Sequence, residues 1–169
     1  MKMKSFDNKC LSFSLMLFTC LITCSCGAPI EKYEPRSQDE KEIVSVLVEY
    51  QEAKNGFDLE RLLYLLHEKG EFTFQCGMMV SKNRLKEMLP GFWAKLSSGD
   101  SAVIPIVHEC INGDYYNTGK LHNLQIEIHR DKALATVLFA KGVCRVPLYV
   151  TMRREDARWL ITRTEWGES

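Results

Sequence analysis

"IVSVLVEYQEAKNGFDLERLLYLLHEKGEFTF" (Ile43–Phe74) is the stretch that decides the fold. Its first half carries apolar residues at the spacing of an amphipathic helix, namely Ile43, Val46, Leu47 and Tyr50. Lys54–Gly56 then supply a cation for the carboxyl end of that helix and a residue that tolerates a left-handed turn. Asp58 can cap a second, leucine-rich helix. A short strand with Phe72 and Phe74 on one face is predicted to follow.

Two further helix signals flank this stretch. Ser37–Glu40, "SQDE", has the form of a capping box, in which the serine hydroxyl accepts from the Glu40 amide and the Glu40 side chain reaches back. The leucine-rich helix is expected to end near Glu68–Gly70. Pro90 lies inside the third helical pattern and predicts a kink or a break there. Ser81 can cap that helix, whose apolar residues are Leu85, Met88, Leu89, Phe92, Trp93 and Leu96.

The second half of the chain is predicted to form strands. Val103–Ile111 is apolar, and Pro105 places it at an edge or a bulge. Leu121–His129 alternates between apolar and polar residues. The remaining predicted strands are Ala133–Lys141, Val143–Arg153 and Trp159–Trp166. Helices first and an antiparallel meander after them indicate an α+β domain over residues 37–169, with a long N-terminal helix and two shorter helices on a strongly curved, mainly antiparallel sheet.

The order of these elements resembles the nuclear-transport-factor-two-like (NTF2-like) superfamily, which includes ketosteroid isomerases and SnoaL-like polyketide cyclases. The resemblance runs from Ser37 to Trp166 and is carried by Ile43–Phe74, by "ALATVLF" (Ala133–Phe139) and by "RWLITRTEW" (Arg158–Trp166). It implies a cone, in which a bent sheet wraps around the first helix and leaves an apolar pocket at the open end. The residues expected to line that pocket are Tyr50, Phe72, Phe74, Phe92, Trp93, His108 and Trp159.

The resemblance alone does not determine an activity, because one fold hosts many functions. Enzymes of this superfamily place an Asp or His in the pocket with a Tyr or acid as hydrogen-bond donor. The catalytic candidates here are His108, which lies in an apolar segment, with Tyr50 or Tyr115. We expect a non-catalytic domain that binds a small apolar ligand or a protein. An isomerase, dehydratase or cyclase and a dimeric assembly protein are the alternatives, and no metal or cofactor is expected.

The N-terminus has the form of a secretory signal peptide over residues 1–25. Lys2, Lys4 and Lys9 precede an apolar run, Leu11–Ile22, that is too short to span a bilayer as a stable helix. A cysteine at the end of such a run resembles the acylated cysteine of bacterial lipoproteins. Cys26 fits that pattern best and Cys24 is the alternative. The sequence predicts a membrane-anchored protein of the bacterial cell envelope, with a solvated tether over residues 26–36, or else a secreted protein.

Composition restricts the possible partners. Removal of residues 1–25 takes three of the 22 basic residues and one of the 22 acidic ones, which leaves a net charge of −2. No basic surface for nucleic acid is therefore expected. Cys76, Cys110 and Cys144 remain after the anchor, either as one disulfide with a free thiol or as three buried thiols. The sequence does not choose among their pairings.

Overall fold

The computed structural model describes residues 27–73, 78–98, 119–141 and 144–167. The predicted strand Val103–Ile111, Cys76 and Cys110 lie outside these residues. Within these ranges there are three α-helices: α1 (Gln38–Asn55), α2 (Leu59–Leu65) and α3 (Lys82–Ser97). The strands are β1 (Leu66–Thr73), β2 (Met79–Ser81), β3 (Lys120–His129), β4 (Lys132–Lys141), β5 (Cys144–Glu155) and β6 (Arg158–Trp166).

The helix starts follow from side-chain capping. The Ser37 hydroxyl accepts from the Glu40 backbone N–H at 3.1 Å, and an Asp58 carboxylate oxygen accepts from the Arg61 N–H at 3.0 Å. The second half of the predicted capping box is wrong in detail, because the Glu40 carboxylate accepts from the backbone of Arg36 at 2.7 Å and not from Ser37. The same carboxylate also pairs with the Arg36 guanidinium. Helix α1 therefore begins at a point held by several bonds.

The described strands form one six-stranded sheet in the order β2-β1-β6-β5-β4-β3. All neighbours are antiparallel except β1 and β6, which are parallel. Register shifts occur in the pairs β1–β6, β3–β4 and β5–β6, and such bulges bend strands. The three helices pack on one face of this curled sheet, which confirms the predicted α+β class.

A single core lies between α1 and the concave face of the sheet. Helix α1 contributes Ile43, Leu47, Tyr50 and Ala53, which are at most 1% exposed. The alternate residues of β4 and β5 face them, namely Ala133, Ala135, Val137, Phe139, Val146, Leu148, Val150 and Met152. At about 25 cal/mol per Å² of buried apolar surface, this shared core is the main stabilising contribution to the domain.

Residues 27–33 form a segment that we call the strap, and it differs from the predicted solvated tether. Ile30 is fully buried, and Ile30–Lys32 form one 3-10 turn. The strap lies along β3, where Pro29 bridges His122 and the Asn123 N–H donates to Ala28 O at 3.0 Å. The prediction of a solvated segment is thus wrong at Ile30, whose large apolar side chain inserts into the core, whereas Glu31 and Lys32 are exposed as predicted.

Two other local predictions also need correction. Helix α2 ends at Leu65, and Leu66–Gly70 are already in β1, since the parallel partner β6 takes up Leu66 opposite Ile161. Helix α3 continues through Pro90 without the break that was one of the two predicted outcomes. The Ser81 hydroxyl accepts from the Arg84 N–H at 3.3 Å, as predicted for its start.

Candidate functional site around Lys54

The candidate site lies around Lys54, in the last turn of α1. Lys54 follows Ile43, Leu47 and Tyr50 at intervals of four, three and four residues, so it lies on the inward stripe of α1. Only 4% of Lys54 is exposed. Lysine is almost never buried to this extent without interacting groups, because the loss of water around an ammonium is costly.

Three aromatic rings surround the Lys54 ammonium. Its nitrogen lies 5.2 Å from the centroid of Tyr50, 5.5 Å from that of Trp166 and 5.6 Å from that of Phe139. Phe139 and Trp166 meet edge to face at 5.4 Å, so the two rings fix each other. Each ring within about 6 Å stabilises a cation by about 0.5–2 kcal/mol. The three rings are therefore placed to contact a cation at this position.

The rim of the site joins the end of α1 to the start of β3. The Gln51 side-chain oxygen accepts from the Leu121 N–H at 2.6 Å. The Asn55 amide makes a reciprocal pair with the backbone of Gly119, at 3.1 Å to its carbonyl and 3.0 Å from its N–H. A Cβ on Gly119 would overlap the Phe139 ring and lie 2.8 Å from Ala140 O. Glycine is thus required for this close approach.

The space left between these residues is small. The cavity beside Lys54 measures about 10 Å³ and is lined by Tyr50, Gln51, Lys54, Asn55, Gly119, Leu121 and Phe139. That volume holds about one water-sized group. A carboxylate oxygen has this size, and the Lys54 side chain lines the cavity. The site can thus accept the charged end of an anion whose remaining atoms lie outside the cavity.

The residues predicted to line the pocket lie in different parts of the fold. Tyr50 belongs to the Lys54 site. Phe72 is fully buried in β1, and Trp93 packs on Phe57 with centroids 5.5 Å apart. Phe92 is half-buried on α3. Among the catalytic and pocket candidates, Phe74, His108 and Tyr115 lie outside the described residues.

Trp159 lines a separate groove on the outer side of α1. This groove measures about 220 Å³ and runs between α1, α2 and the β5–β6 turn. Its walls carry the carboxylates of Glu42 and Glu49, and the Arg158 guanidinium stacks on the Tyr64 ring at 4.0 Å. The groove and the Lys54 site share no lining residue.

Sequence reasoning missed Lys54 as a site residue. A lysine before "NG" at the end of a helix matches the ordinary preference for a cation there, and it was interpreted in that way. The signal that could have found it is the interval of four from Tyr50, which places Lys54 on the buried stripe and not on the solvent face. An ionisable residue on an apolar stripe is a candidate for function.

Within the described ranges, no group of three or more His, Cys, Asp or Glu side chains is placed to hold a metal ion. In the same ranges, none of the helices combines the length and apolar character needed to cross a bilayer.

Comparison with known proteins defines the class of fold. No protein-family model and no curated protein matches the sequence. Solved structures do match. One is a protein of unknown function with a cystatin-like fold from Nostoc punctiforme, which has a TM-score of 0.55 and 15% identity over 79% of this chain and 93% of that one. An NTF2-like protein of unknown function from Pseudomonas putida has a TM-score of 0.54 at 15% identity, over 78% and 87% of the two chains.

A third match is an NTF2-like protein from Cytophaga hutchinsonii, with a TM-score of 0.50 and 16% identity over 79% of this chain and 99% of that one. The described chain therefore has an NTF2-like α+β cone fold. At these identities the likeness extends to the fold alone, and function has to be argued from the residues of the site.

Proposed function

We propose that the protein is an exported, lipid-anchored envelope protein whose cone binds a small anionic ligand without catalysing a reaction. The observation that carries the binding function is the Lys54 ammonium, 4% exposed and within 5.6 Å of three ring centroids. Such a site selects a carboxylate or a similar anion attached to an apolar body. The ammonium recognises the charged end of the anion, and the rest of the ligand lies outside the cavity, because Tyr50 and Phe139 are at most 4% exposed.

The energetics favour binding over a purely structural role. A buried ammonium is weak support for stability, because desolvation offsets most of what its contacts contribute. An anion that enters the cavity lies beside the Lys54 ammonium, and one charge-assisted hydrogen bond there would contribute about 1.5–3 kcal/mol. Discrimination of about tenfold to a hundredfold between an anion and its neutral analogue follows.

The local chemistry supports binding more than turnover. Gln51 and Asn55 are amides that do not titrate and that already bond to the backbone of Leu121 and Gly119. Among the described residues that line the cavity there is no carboxylate and no histidine to act as a general base beside Lys54. The alternative of an enzyme that uses His108 with Tyr50 or Tyr115 remains a hypothesis, since His108 and Tyr115 lie outside the described residues.

The binding proposal is tested by titration with a charged and an uncharged probe of matched shape. Benzoate should bind at least tenfold more tightly than benzyl alcohol, measured by calorimetry on the purified domain. Lys54→Met should remove that preference, whereas Lys41→Met, an exposed lysine on the same helix, should not. Circular dichroism confirms that each variant is folded. Equal affinity for the two probes in the wild type would refute the anion site.

The anchor is tested separately. Cys26→Ser should move the protein from the membrane to the soluble fraction of the envelope, because stable anchoring requires more than one acyl chain and this cysteine would carry them. Mass spectrometry of the intact wild-type protein should show the added acyl mass. If Cys26→Ser still sediments with membranes, the acylated residue is Cys24 or the protein is held in another way.

The outer face of the sheet favours a second candidate function, self-association. Leu134 on β4 and Tyr149 on β5 are 37% and 39% exposed. They are diagonal neighbours on the same face of the sheet, because Leu134 pairs with Thr151 and Tyr149 pairs with Thr136. Leu138 and Pro147 pair on the same face. We call Leu134, Leu138, Pro147 and Tyr149 the outer-face patch. An apolar patch on a sheet face is typical of an interface between copies.

A further inference from the structure

Contacts along its length hold the strap in place. At its first residue, the Gly27 carbonyl lies 2.8 Å from His122 Nδ1, which donates to it. Ala28 O accepts from the Asn123 N–H, and Ile30 is fully buried. At its end, the Tyr33 hydroxyl donates to a Glu40 carboxylate oxygen at 3.1 Å. The strap is therefore held to the domain from residue 27 onward.

Electrostatics reinforce the middle of the strap. The Gln51 side-chain N–H donates to a Glu31 carboxylate oxygen at 2.9 Å. Partial burial opposes ionisation of Glu31, but its backbone bond, the Gln51 amide and the nearby Lys120 and His122 together lower the pKa of this carboxyl below its ordinary value. Glu31 is thus held as a carboxylate against the start of β3.

The proposed anchor leaves almost no free chain before this fixed point. Cys26 precedes Gly27 directly, and successive Cα atoms are about 3.8 Å apart. A flexible linker of ten residues would instead give a root-mean-square reach of about 16–19 Å and free rotation. An acylated Cys26 would therefore hold the domain by a fixed point at the bilayer surface.

We propose that the strap fixes the orientation of the domain on the membrane, with the amino-terminal end of β3 facing the phospholipid head groups. This proposal rests on the lipid anchor proposed above. The occupant of this face is the bilayer, since the chain that precedes the described residues ends there at the acylated cysteine. The β3–β4 turn then points away from the membrane.

The same orientation places the ligand site at the membrane-facing end. Gln51 holds Glu31 of the strap with its N–H and Leu121 of the site rim with its oxygen, so one side chain links the two. Gly119, also on the rim, is only three residues from His122, which binds the first residue of the strap. A ligand would then be exchanged next to the bilayer surface.

The test uses the full-length acylated protein in vesicles of phosphatidylethanolamine and phosphatidylglycerol. A dye is placed at Lys120→Cys or at Lys132→Cys in a background in which Cys76, Cys110 and Cys144 are serine. These two exposed lysines lie at opposite ends of the β3–β4 hairpin, about 30 Å apart at 3.3 Å per residue. A lipid with a spin-labelled head group should quench the dye at position 120 at least threefold more than the dye at position 132.

A matched control separates orientation from attachment. Ten Gly and Ser residues inserted between Cys26 and Gly27 should leave the protein on the vesicles but equalise the quenching at the two positions. Equal quenching in the acylated protein without the insertion would overturn the orientation and leave the anchor intact. If intact-mass measurement shows no acyl chains, the anchor fails and the orientation fails with it.

Discussion

At the scale of single residues, two glycines show how differently the same residue type is used. Gly91 lies exposed inside α3, and an added Cβ would meet no atom within 4 Å. Gly119 lies at the rim of the Lys54 site, where an added Cβ would overlap the Phe139 ring. Glycine at position 91 therefore only lowers the helix propensity, whereas glycine at position 119 is required by the packing against Phe139.

We therefore predict opposite effects of alanine at these two positions. Gly91→Ala should raise the free energy of unfolding by about 0.5–1 kcal/mol, the difference between glycine and alanine inside a helix. Gly119→Ala should lower it by about 1–3 kcal/mol, because the Phe139 ring or the backbone has to shift. Urea unfolding followed by circular dichroism measures both. A stabilising Gly119→Ala would show that the rim is more loosely packed than described.

Lys54 also shows which contacts cannot be predicted from the neighbouring residues in the sequence. The capping residues Ser37, Asp58 and Ser81 were predictable because each acts on backbone groups only three residues away. The surroundings of Lys54 depend on Phe139 and Trp166, which are more than 80 residues distant in the chain. No local pattern contains that information, and only the stripe position of Lys54 hinted at it.

At the scale of elements, two carboxylates that bond to the strap or lie in it, Glu40 and Glu31, have a lowered pKa. Backbone and side-chain bonds from Arg36, together with the Tyr33 hydroxyl, lower the pKa of Glu40 despite its burial, and the pKa of Glu31 is lowered as well. Both carboxyls have an ordinary pKa of 4.5. Their contribution to stability is complete above that pH and is lost as the pH falls through the folded-state values.

The corresponding prediction concerns Glu31→Gln combined with Glu40→Gln. At pH 7 the double variant should be less stable than the wild type by about 1–3 kcal/mol, since two charge-assisted bonding sites become neutral. Below pH 4.5 the difference should shrink, because the wild-type carboxyls protonate. Unfolding free energies between pH 7 and pH 3 provide the measurement. Glu127→Gln, on the exposed face of β3, serves as the control, and a difference that grew on acidification would contradict the assignment.

Periodicity predicted the regular elements well and the strap poorly. Helix α1 and strands β3 to β6 have long apolar patterns with a single period, and those patterns survive in the fold. Leu66 continues a leucine-rich helical run, yet it lies in β1, since pairing with Ile161 outweighs local propensity. In the strap, one buried isoleucine between prolines and charges carries no period at all.

At the scale of the whole molecule, the two faces of the sheet have different roles. The concave face packs on α1 and forms the core. The convex face carries the outer-face patch, where Leu134 and Tyr149 remain more than a third exposed. Arg163 and Glu165 form an ion pair at 2.6 Å beside it.

If the outer-face patch mediates self-association, a charge in its centre should weaken the dimer. Tyr149→Glu is expected to raise the dimer dissociation constant at least tenfold, because a carboxylate would be buried without a partner. Lys132→Glu, at the end of β4, should have little effect. Light scattering during size-exclusion chromatography measures both. A wild-type domain that stays monomeric at high concentration would exclude this function.

The packing of residues 27–33 against β3 has a consequence for proteolytic cleavage near the start of the domain. Within the described sheet β3 is the outermost strand on its side, and Pro29 and Ala28 cover part of its backbone at His122 and Asn123. If the proposed anchor is present, a cut after Tyr33 followed by loss of the strap would release the domain, and it would expose the β3 backbone and the cavity filled by Ile30. Unpaired strand edges pair with other chains, so the cleaved form should aggregate under conditions in which the intact form does not.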